Sequence, residues 1–304
     1  MAQVLTGARP APQAEAAPPG WWPVDRLIFG YLAVAAIALA IYSDQVPGAG
    51  WLLVLHAAGL ASIAAAAKAR PHRLLTAFRH WYPLPYVASC FKVVALLIPP
   101  IRGVQLDAEI AHLDRVIWGA NPTVWLERVH VPWLTEFLQV VYSLFVPAVL
   151  LVAALLWRRG RLAAFRYYAF LISLGFLASY VGYVLVPVRG PRFLLAGLQH
   201  FELHGLWLFG WLQQTLDRLE SAHYDCFPSG HTELTLLAWW SSRQISMKLF
   251  RAYSVYSILI VFATVYLRYH YTIDVFAGAA LAFALLATAP YLYRAKRPLI
   301  GRED

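Results

Sequence analysis

The chain has 304 residues, of which 60% are hydrophobic, 15% aromatic and only 13% charged. Soluble domains are nearer half apolar and about a quarter charged, so the composition excludes an ordinary soluble enzyme and any disorder beyond short tails. The net charge of +9 does not indicate a nucleic-acid partner, because the excess sits at helix ends, where anionic lipid accounts for it.

Residues 1–20, rich in Pro and Ala, read as a disordered N-terminal tail. Eight apolar segments follow, at about 27–43, 49–67, 84–100, 134–157, 163–187, 232–247, 252–268 and 274–292. Each is long enough for a bilayer core of roughly 30 Å. The runs are continuous rather than alternating, which predicts an all-α polytopic membrane bundle of about eight transmembrane helices and not a barrel. Ala38-Leu39-Ala40 leaves a signal-cleavage site as an alternative for the first segment. Residues 294–304 form a basic tail.

Alternate connections hold seventeen of the 25 Lys and Arg, against seven in the opposite ones. By the positive-inside rule both termini are expected in the cytoplasm, with the connections 101–133 and 188–231 on the exoplasmic face. The first of these carries Ile110, Leu113 and Ile117 at helical spacing. It predicts an amphipathic helix in the interface, with Trp118, Trp125 and Trp133 as headgroup-level anchors.

Residue types suited to catalysis concentrate at that same face. Arg189 and Arg192 lie where the fifth span ends; Asp225, Ser229, Gly230 and His231 precede the sixth; Arg268, His270 and Asp274 link the seventh and eighth. Ser229 is placed to cap a helix whose free N–H groups would bind phosphate, and Gly230 allows close approach. His270 and Asp274 share a helix face at i, i+4 spacing. A carboxylate accepting the Nδ1 proton would leave Nε2 as a nucleophile, while His231 supplies or removes protons. Arg189, Arg192 and Arg268 would neutralise phosphoryl oxygens.

Other residues carry competing readings. Lys92, in the middle of the third span, is expected to pair with Glu233 or to reach toward phosphate. Glu136 and Tyr142 are candidates for polar contacts at the headgroup site, with an interfacial position as the alternative. His200, His204 and His223 with Glu202 make a zinc site conceivable, but no cysteine cluster supports one. Cys90 and Cys226 form neither a disulfide framework nor a metal pattern. No metal and no cofactor are expected.

Asp225, Ser229-Gly230-His231-Thr232 and His270-Tyr271-Thr272-Ile273-Asp274-Val275 resemble the type-2 phosphatidic acid phosphatase and haloperoxidase superfamily. They are closest to its inositol phosphorylceramide synthase and sphingomyelin synthase branch, through D-x-x-x-S-G-H-T and H-Y-T-x-D-V. The resemblance implies a six-helix core over about 81–293, with residues 21–80 as two accessory transmembrane helices. It further implies His270 as nucleophile, His231 as acid/base, Asp274 as orienter and no metal. No lysine precedes Arg189 or Arg192 at the K-x6-R-P spacing of ordinary phosphatases, and Ala263 and Thr264 stand at the Ser and Arg positions of S-R-x5-H. These departures turn the expectation from a plain phosphatidate phosphatase toward a phosphotransferase. The expected substrate is a phospholipid or polyprenyl phosphate in the bilayer, with water or an alcohol such as ceramide as acceptor. A lipid transporter is the non-enzymatic alternative.

Overall fold

A computed structural model describes residues 20–220 and 224–293. The expected tails 1–20 and 294–304, apart from Gly20, and His223 lie outside the described residues. The chain begins with α1 (Pro23–Ile41), α2 (Ala49–Lys68), the short α3 (Arg73–Trp81) and α4 (Pro83–Arg102). Next come α5 (Asp107–Trp118), a single turn α6 (Pro122–Trp125), α7 (Pro132–Ser143), α8 (Phe145–Arg158) and α9 (Leu162–Leu185). The chain closes with a turn α10 (Pro191–Leu194), then α11 (Phe209–Glu220), α12 (Gly230–Ser242), α13 (Met247–Tyr266) and α14 (Thr272–Tyr293). Among the described residues there is no strand, only an isolated bridge between Val188 and Asp225. This is the expected all-α bundle.

Six helices are long and apolar enough to cross a membrane: α1, α2, α4, α9, α13 and α14. They make the protein an integral membrane protein. The predicted fourth span is instead a broken pair, α7 and α8 meeting at 43°. Pro147 explains the break, because it has no N–H to offer the carbonyl of Ser143 one turn earlier. The carbonyl of Val141, freed at the bend, is satisfied by the Tyr256 hydroxyl of α13 at 3.1 Å. The predicted sixth span also shortens. The 13 residues of α12 rise only about 20 Å, less than a bilayer core. Its end is polar: the Ser241 and Ser242 hydroxyls bond back to Leu237 and Trp239, and Ser246 then caps α13.

The central helix is α9, which packs against α1, α4, α8, α12 and α14. Its glycines admit its neighbours: a side-chain carbon at Gly175 would lie 2.8 Å from Glu233 and Leu234 of α12. The amphipathic helix of the first long connection is α5. Its buried face is Asp107, Ile110, Ala111 and Asp114, while Leu113, Ile117 and Trp118 are exposed together with Trp125 and Trp133.

At the opposite end, α1 and α3 are tied to the bundle by a buried polar cluster. Asp25 accepts from the Arg79 guanidinium at 2.6 Å, the Tyr82 hydroxyl at 2.6 Å and the Trp22 N–H at 2.8 Å. Arg79 also lies over the Trp22 ring, 4.2 Å from its centroid. His80 is enclosed beside it by Trp22, Trp157 and Phe165, and bonds the Thr76 carbonyl at 2.6 Å. Burial, with Arg166 and Arg79 nearby, lowers its pKa to about 4.

Between pH 6.5, near the unfolded value, and pH 4 the unfolded chain binds a proton that the folded chain refuses. Stability contributed by neutral His80 is therefore present above that window and lost as pH falls through it. The melting temperature of detergent-solubilised protein is expected to drop more steeply from pH 7 to pH 4 in the wild type than in His80→Phe. Superimposable profiles would show that His80 does not titrate this way.

Candidate active site

The segment 224–229 threads between α9 and α14 and delivers the N-terminus of α12 into the bundle. Glycine makes this possible at Gly278, where a side-chain carbon would overlap the Ser229 carbonyl. Ser229 donates its N–H to the Asp274 carbonyl at 3.0 Å. Its hydroxyl caps α12, accepting from the N–H and the hydroxyl of Thr232 at 3.3 and 3.1 Å. The predicted cap is therefore present, with Gly230 and His231 in the first turn. Gly230 lies under Tyr183, whose hydroxyl would be 2.7 Å from an added carbon.

After α13 the chain folds back inward. Arg268 adopts a left-handed backbone (φ 65°), and the N–H groups of Tyr269 and His270 both return to the Thr264 carbonyl at 3.0 Å. This turn carries the His270 ring to within 5.8 Å of the His231 ring, centroid to centroid. His231 is held by Tyr142, stacked at 4.2 Å with its hydroxyl 3.4 Å from Nδ1, and by Phe145 at 4.4 Å. These two aromatics flank the α7–α8 bend, so the kink at Pro147 positions the histidine. Tyr269 continues the stack on Tyr142 at 4.3 Å, and the Arg192 guanidinium lies 5.0 Å from the Tyr269 ring centre.

The expected His270–Asp274 hydrogen bond is replaced by a different arrangement. Nδ1 is 3.6 Å from the Asp274 carboxylate, beyond hydrogen-bond range, and 2.9 Å from the main-chain carbonyl of Cys226. A carbonyl only accepts, so Nδ1 carries the proton, and in the neutral ring Nε2 then keeps its lone pair. Asp274 instead accepts from the Tyr271 N–H and the Cys226 thiol, each at 2.8 Å. Burial, and next the charge of Asp274, push the Cys226 pKa up, which keeps the thiol a donor. Cys226 is thus a site residue that its isolated place in the sequence did not reveal.

The remaining candidates divide. Asp225 lines the same cavity as His231 and Gly230. Burial pushes its pKa up to about 6, against the opposing charge of Arg192. Arg192 pairs with Asp217 at 2.7 Å. Arg189 is anchored through its backbone, whose N–H, with that of Gly190, bonds the Asp107 carboxylate at 2.9–3.1 Å. The Arg189 guanidinium lies 4.5 Å from the Phe193 ring centre, and its Nε is buried without an acceptor. Arg268 is partly engaged elsewhere: Glu127 at 2.6 Å, with Gln199 and the Phe201 carbonyl at 2.9 Å, takes its two terminal nitrogens, while its Nε is buried without an acceptor. Lys92 does not pair with Glu233. It is exposed on α4, whereas Glu233 is fully buried and receives a hydrogen bond from Ser179. Glu136 serves a helix start, accepting the N–H groups of Leu206, Trp207, Leu208 and Phe209 at the head of α11. His200 pairs with Glu127 at 2.7 Å. Among the described residues the group with metal-ligand geometry is Cys226, His270 and Asp274, not His200 and His204.

One cavity reaches His231, and a second lies beside Arg192 and Arg268. The first, of about 330 Å³, is apolar and runs between α4, α8, α9 and α12, with His231, Gly230 and Asp225 at one end. The second, about 360 Å³, is polar and lined by Arg192, Gln199, Glu202, Gln213, Asp217 and Arg268 among others.

A family profile described as the PAP2 superfamily matches residues 108–288. A PA-phosphatase related-family protein of Dictyostelium discoideum is 30% identical over 107 residues, which is 34% of this chain. The match covers 19% of that protein's length. No solved structure matches.

The start of α14 is secured by Asp114 of α5, which accepts from the Thr272 and Ile273 N–H groups at 2.9 Å and the Thr272 hydroxyl at 2.7 Å. Asp114→Ala strips these donors of their acceptor and is expected to cost about 1–3 kcal/mol of stability. Thermal unfolding in detergent measures it, and an unchanged midpoint would show that water replaces the carboxylate without loss.

Proposed function

Because the chain belongs to the PAP2 superfamily, we propose that it is a phosphatase or phosphotransferase acting on the phosphate ester of a membrane lipid, with His270 as nucleophile. The observation carrying this reading is the 5.8 Å separation of the two imidazoles, close enough for both to reach one phosphoryl group. In the first step Nε2 of His270 bonds to phosphorus, the ester P–O bond breaks, and His231 gives a proton to the leaving oxygen. In the second, His231 takes the proton of the acceptor, a new P–O bond forms, and the P–N electron pair returns to Nε2. The first-turn N–H groups of α12 and the guanidinium groups of Arg189 and Arg192 bind the phosphoryl oxygens. The buried, unpartnered Nε of Arg189 supports its part in this. Arg268, with its terminal nitrogens held by Glu127, Gln199 and Phe201, offers only its Nε to the phosphate and otherwise holds the 266–271 turn.

The apolar cavity beside His231 and Asp225 favours a lipid alcohol over bulk water as acceptor. With the departures from the phosphatase motifs, it supports a sphingolipid headgroup transferase of the inositol phosphorylceramide or sphingomyelin synthase type. We assign the catalytic core to residues 81–293 and an accessory role to the helices of 21–80. The charge asymmetry of the connections supports cytoplasmic termini and a site on the opposite face.

Incubation of purified protein with labelled phospholipids and polyprenyl phosphates, with and without ceramide, tests the reaction. Free phosphate indicates hydrolysis, and a new phosphorylated or headgroup-bearing lipid indicates transfer. His270→Ala is expected to abolish both turnover and acid-labile labelling of the protein; label persisting in that variant would remove His270 as nucleophile. His231→Ala is expected to slow turnover by roughly 10²–10⁴-fold with substrate still bound, and a wild-type rate would remove its proton-transfer role. Arg192→Ala is expected to raise KM more than it lowers kcat.

A further inference from the structure

Behind the His270 ring three ligand atoms of different chemistry converge. Cys226 Sγ is 2.8 Å from the Asp274 carboxylate and 3.5 Å from His270 Nδ1, and Nδ1 is 3.6 Å from the same carboxylate. All three residues are buried. Around a tetrahedral zinc ion, with bonds of about 2.0–2.3 Å, neighbouring ligand atoms stand about 3.3–3.5 Å apart. Two of the three edges already have nearly that length, and the third needs only to open by less than about 1 Å. The second oxygen of Asp274 supplies an independent sign: Oδ1 is buried and has no hydrogen-bond partner. Buried carboxylate oxygens ordinarily have one, so this acceptor capacity is unspent.

We infer that Cys226, His270 and Asp274 form a three-ligand site for Zn²⁺ and that zinc bound there inhibits the enzyme. One thiolate, one imidazole and one carboxylate suit zinc. Magnesium and calcium take oxygen ligands. Thiolate and carboxylate together neutralise the ion, and the fourth position is left to water.

The proton balance gives the inhibition its mechanism. Without metal, the thiol proton holds Sγ to Asp274 and the Nδ1 proton holds the ring to the Cys226 carbonyl. On binding, the thiol releases its proton to solvent. The ring stays neutral by carrying its proton on Nε2 in place of Nδ1, because Nδ1 now gives its lone pair to the metal. Nε2 then has no lone pair with which to attack phosphorus. The lost bond to the Cys226 carbonyl opposes binding, and the two new anionic ligands favour it. The inhibitory consequence rests on the proposed role of His270; the metal site itself does not.

The full-length protein in detergent, stripped with chelator, is titrated with Zn²⁺ in equilibrium dialysis and with Co²⁺ in absorption. One Zn²⁺ per chain and a thiolate-to-cobalt charge-transfer band are expected. Cys226→Ser and Cys226→Ala should lose the band and weaken zinc by more than the roughly 10–100-fold typical of an outer-shell contact. His200→Ala, whose exposed ring pairs with Glu127, should leave both readouts unchanged. Turnover of labelled lipid phosphate should fall over the range of Zn²⁺ that fills the site and recover with chelator. Zinc binding without a thiolate band, or equal affinity in the Cys226 variants, would overturn the site, and filling without inhibition would overturn its effect. A protein with no turnover on any lipid phosphate would sink the phosphatase reading, while the cobalt band would still decide the metal site.

Discussion

Everything at the site depends on how closely the 226–229 segment lies against the start of α14. Three contacts fix it: the Cys226 carbonyl on His270 Nδ1, the Cys226 thiol on Asp274, and the Ser229 N–H on the Asp274 carbonyl. Gly278 provides the space, since a methyl group there would collide with Ser229. The two histidines come from segments about forty residues apart in sequence, and this seam converts them into one site. It also satisfies the polar groups of an irregular segment inside an apolar bundle, where each unsatisfied group would cost several kcal/mol.

The loops above the seam are organised by carboxylates that accept backbone N–H groups. Asp107 holds Arg189 and Gly190, Asp114 holds Thr272 and Ile273, and Glu136 holds the head of α11. The first two sit seven residues apart on the buried face of α5, flanking Ile110 and Ala111. This arrangement has an electrostatic consequence. Negative charge near the proposed phosphate position is already matched by oriented N–H dipoles or by arginine, which lessens its repulsion of an incoming phosphate.

Much of this was legible in the chain, and the limits are physical. Long apolar runs and the signatures around His231 and His270 located the helices and the paired rings, because hydrophobicity and local motifs are written in contiguous residues. The break at Pro147 was equally local and would have followed from its missing N–H. What contiguous reading does not carry is the choice among partners at similar distance. Asp274 lies at the right helical spacing from His270, yet a main-chain carbonyl, invisible in any sequence pattern, takes the Nδ1 proton. Arg268 stands two residues from the nucleophile candidate, but its left-handed backbone turns the guanidinium toward Glu127. Lys92 and Glu233 looked like a buried pair because each would be costly alone. In the fold α4 is rotated so that the lysine faces away from Glu233, and Ser179 of α9 serves the glutamate.

The two cavities bear on the choice of acceptor. Hydrolysis needs water at His231, and the wall nearest that ring is made of Phe145, Leu234 and the aromatic faces of α9. An apolar wall excludes water more effectively than it excludes a hydroxyl carried on a hydrocarbon chain, because the chain gains by burial what water would lose in hydrogen bonds. Around Arg192 and Arg268 the polar cavity is lined by both donors and acceptors. Such a lining accommodates a hydrated polar group, whereas the cavity beside His231 suits an apolar chain. On the proposed reaction, His231 at the end of the apolar cavity is where the phosphate of an amphiphile would sit, with the hydrocarbon part in that cavity.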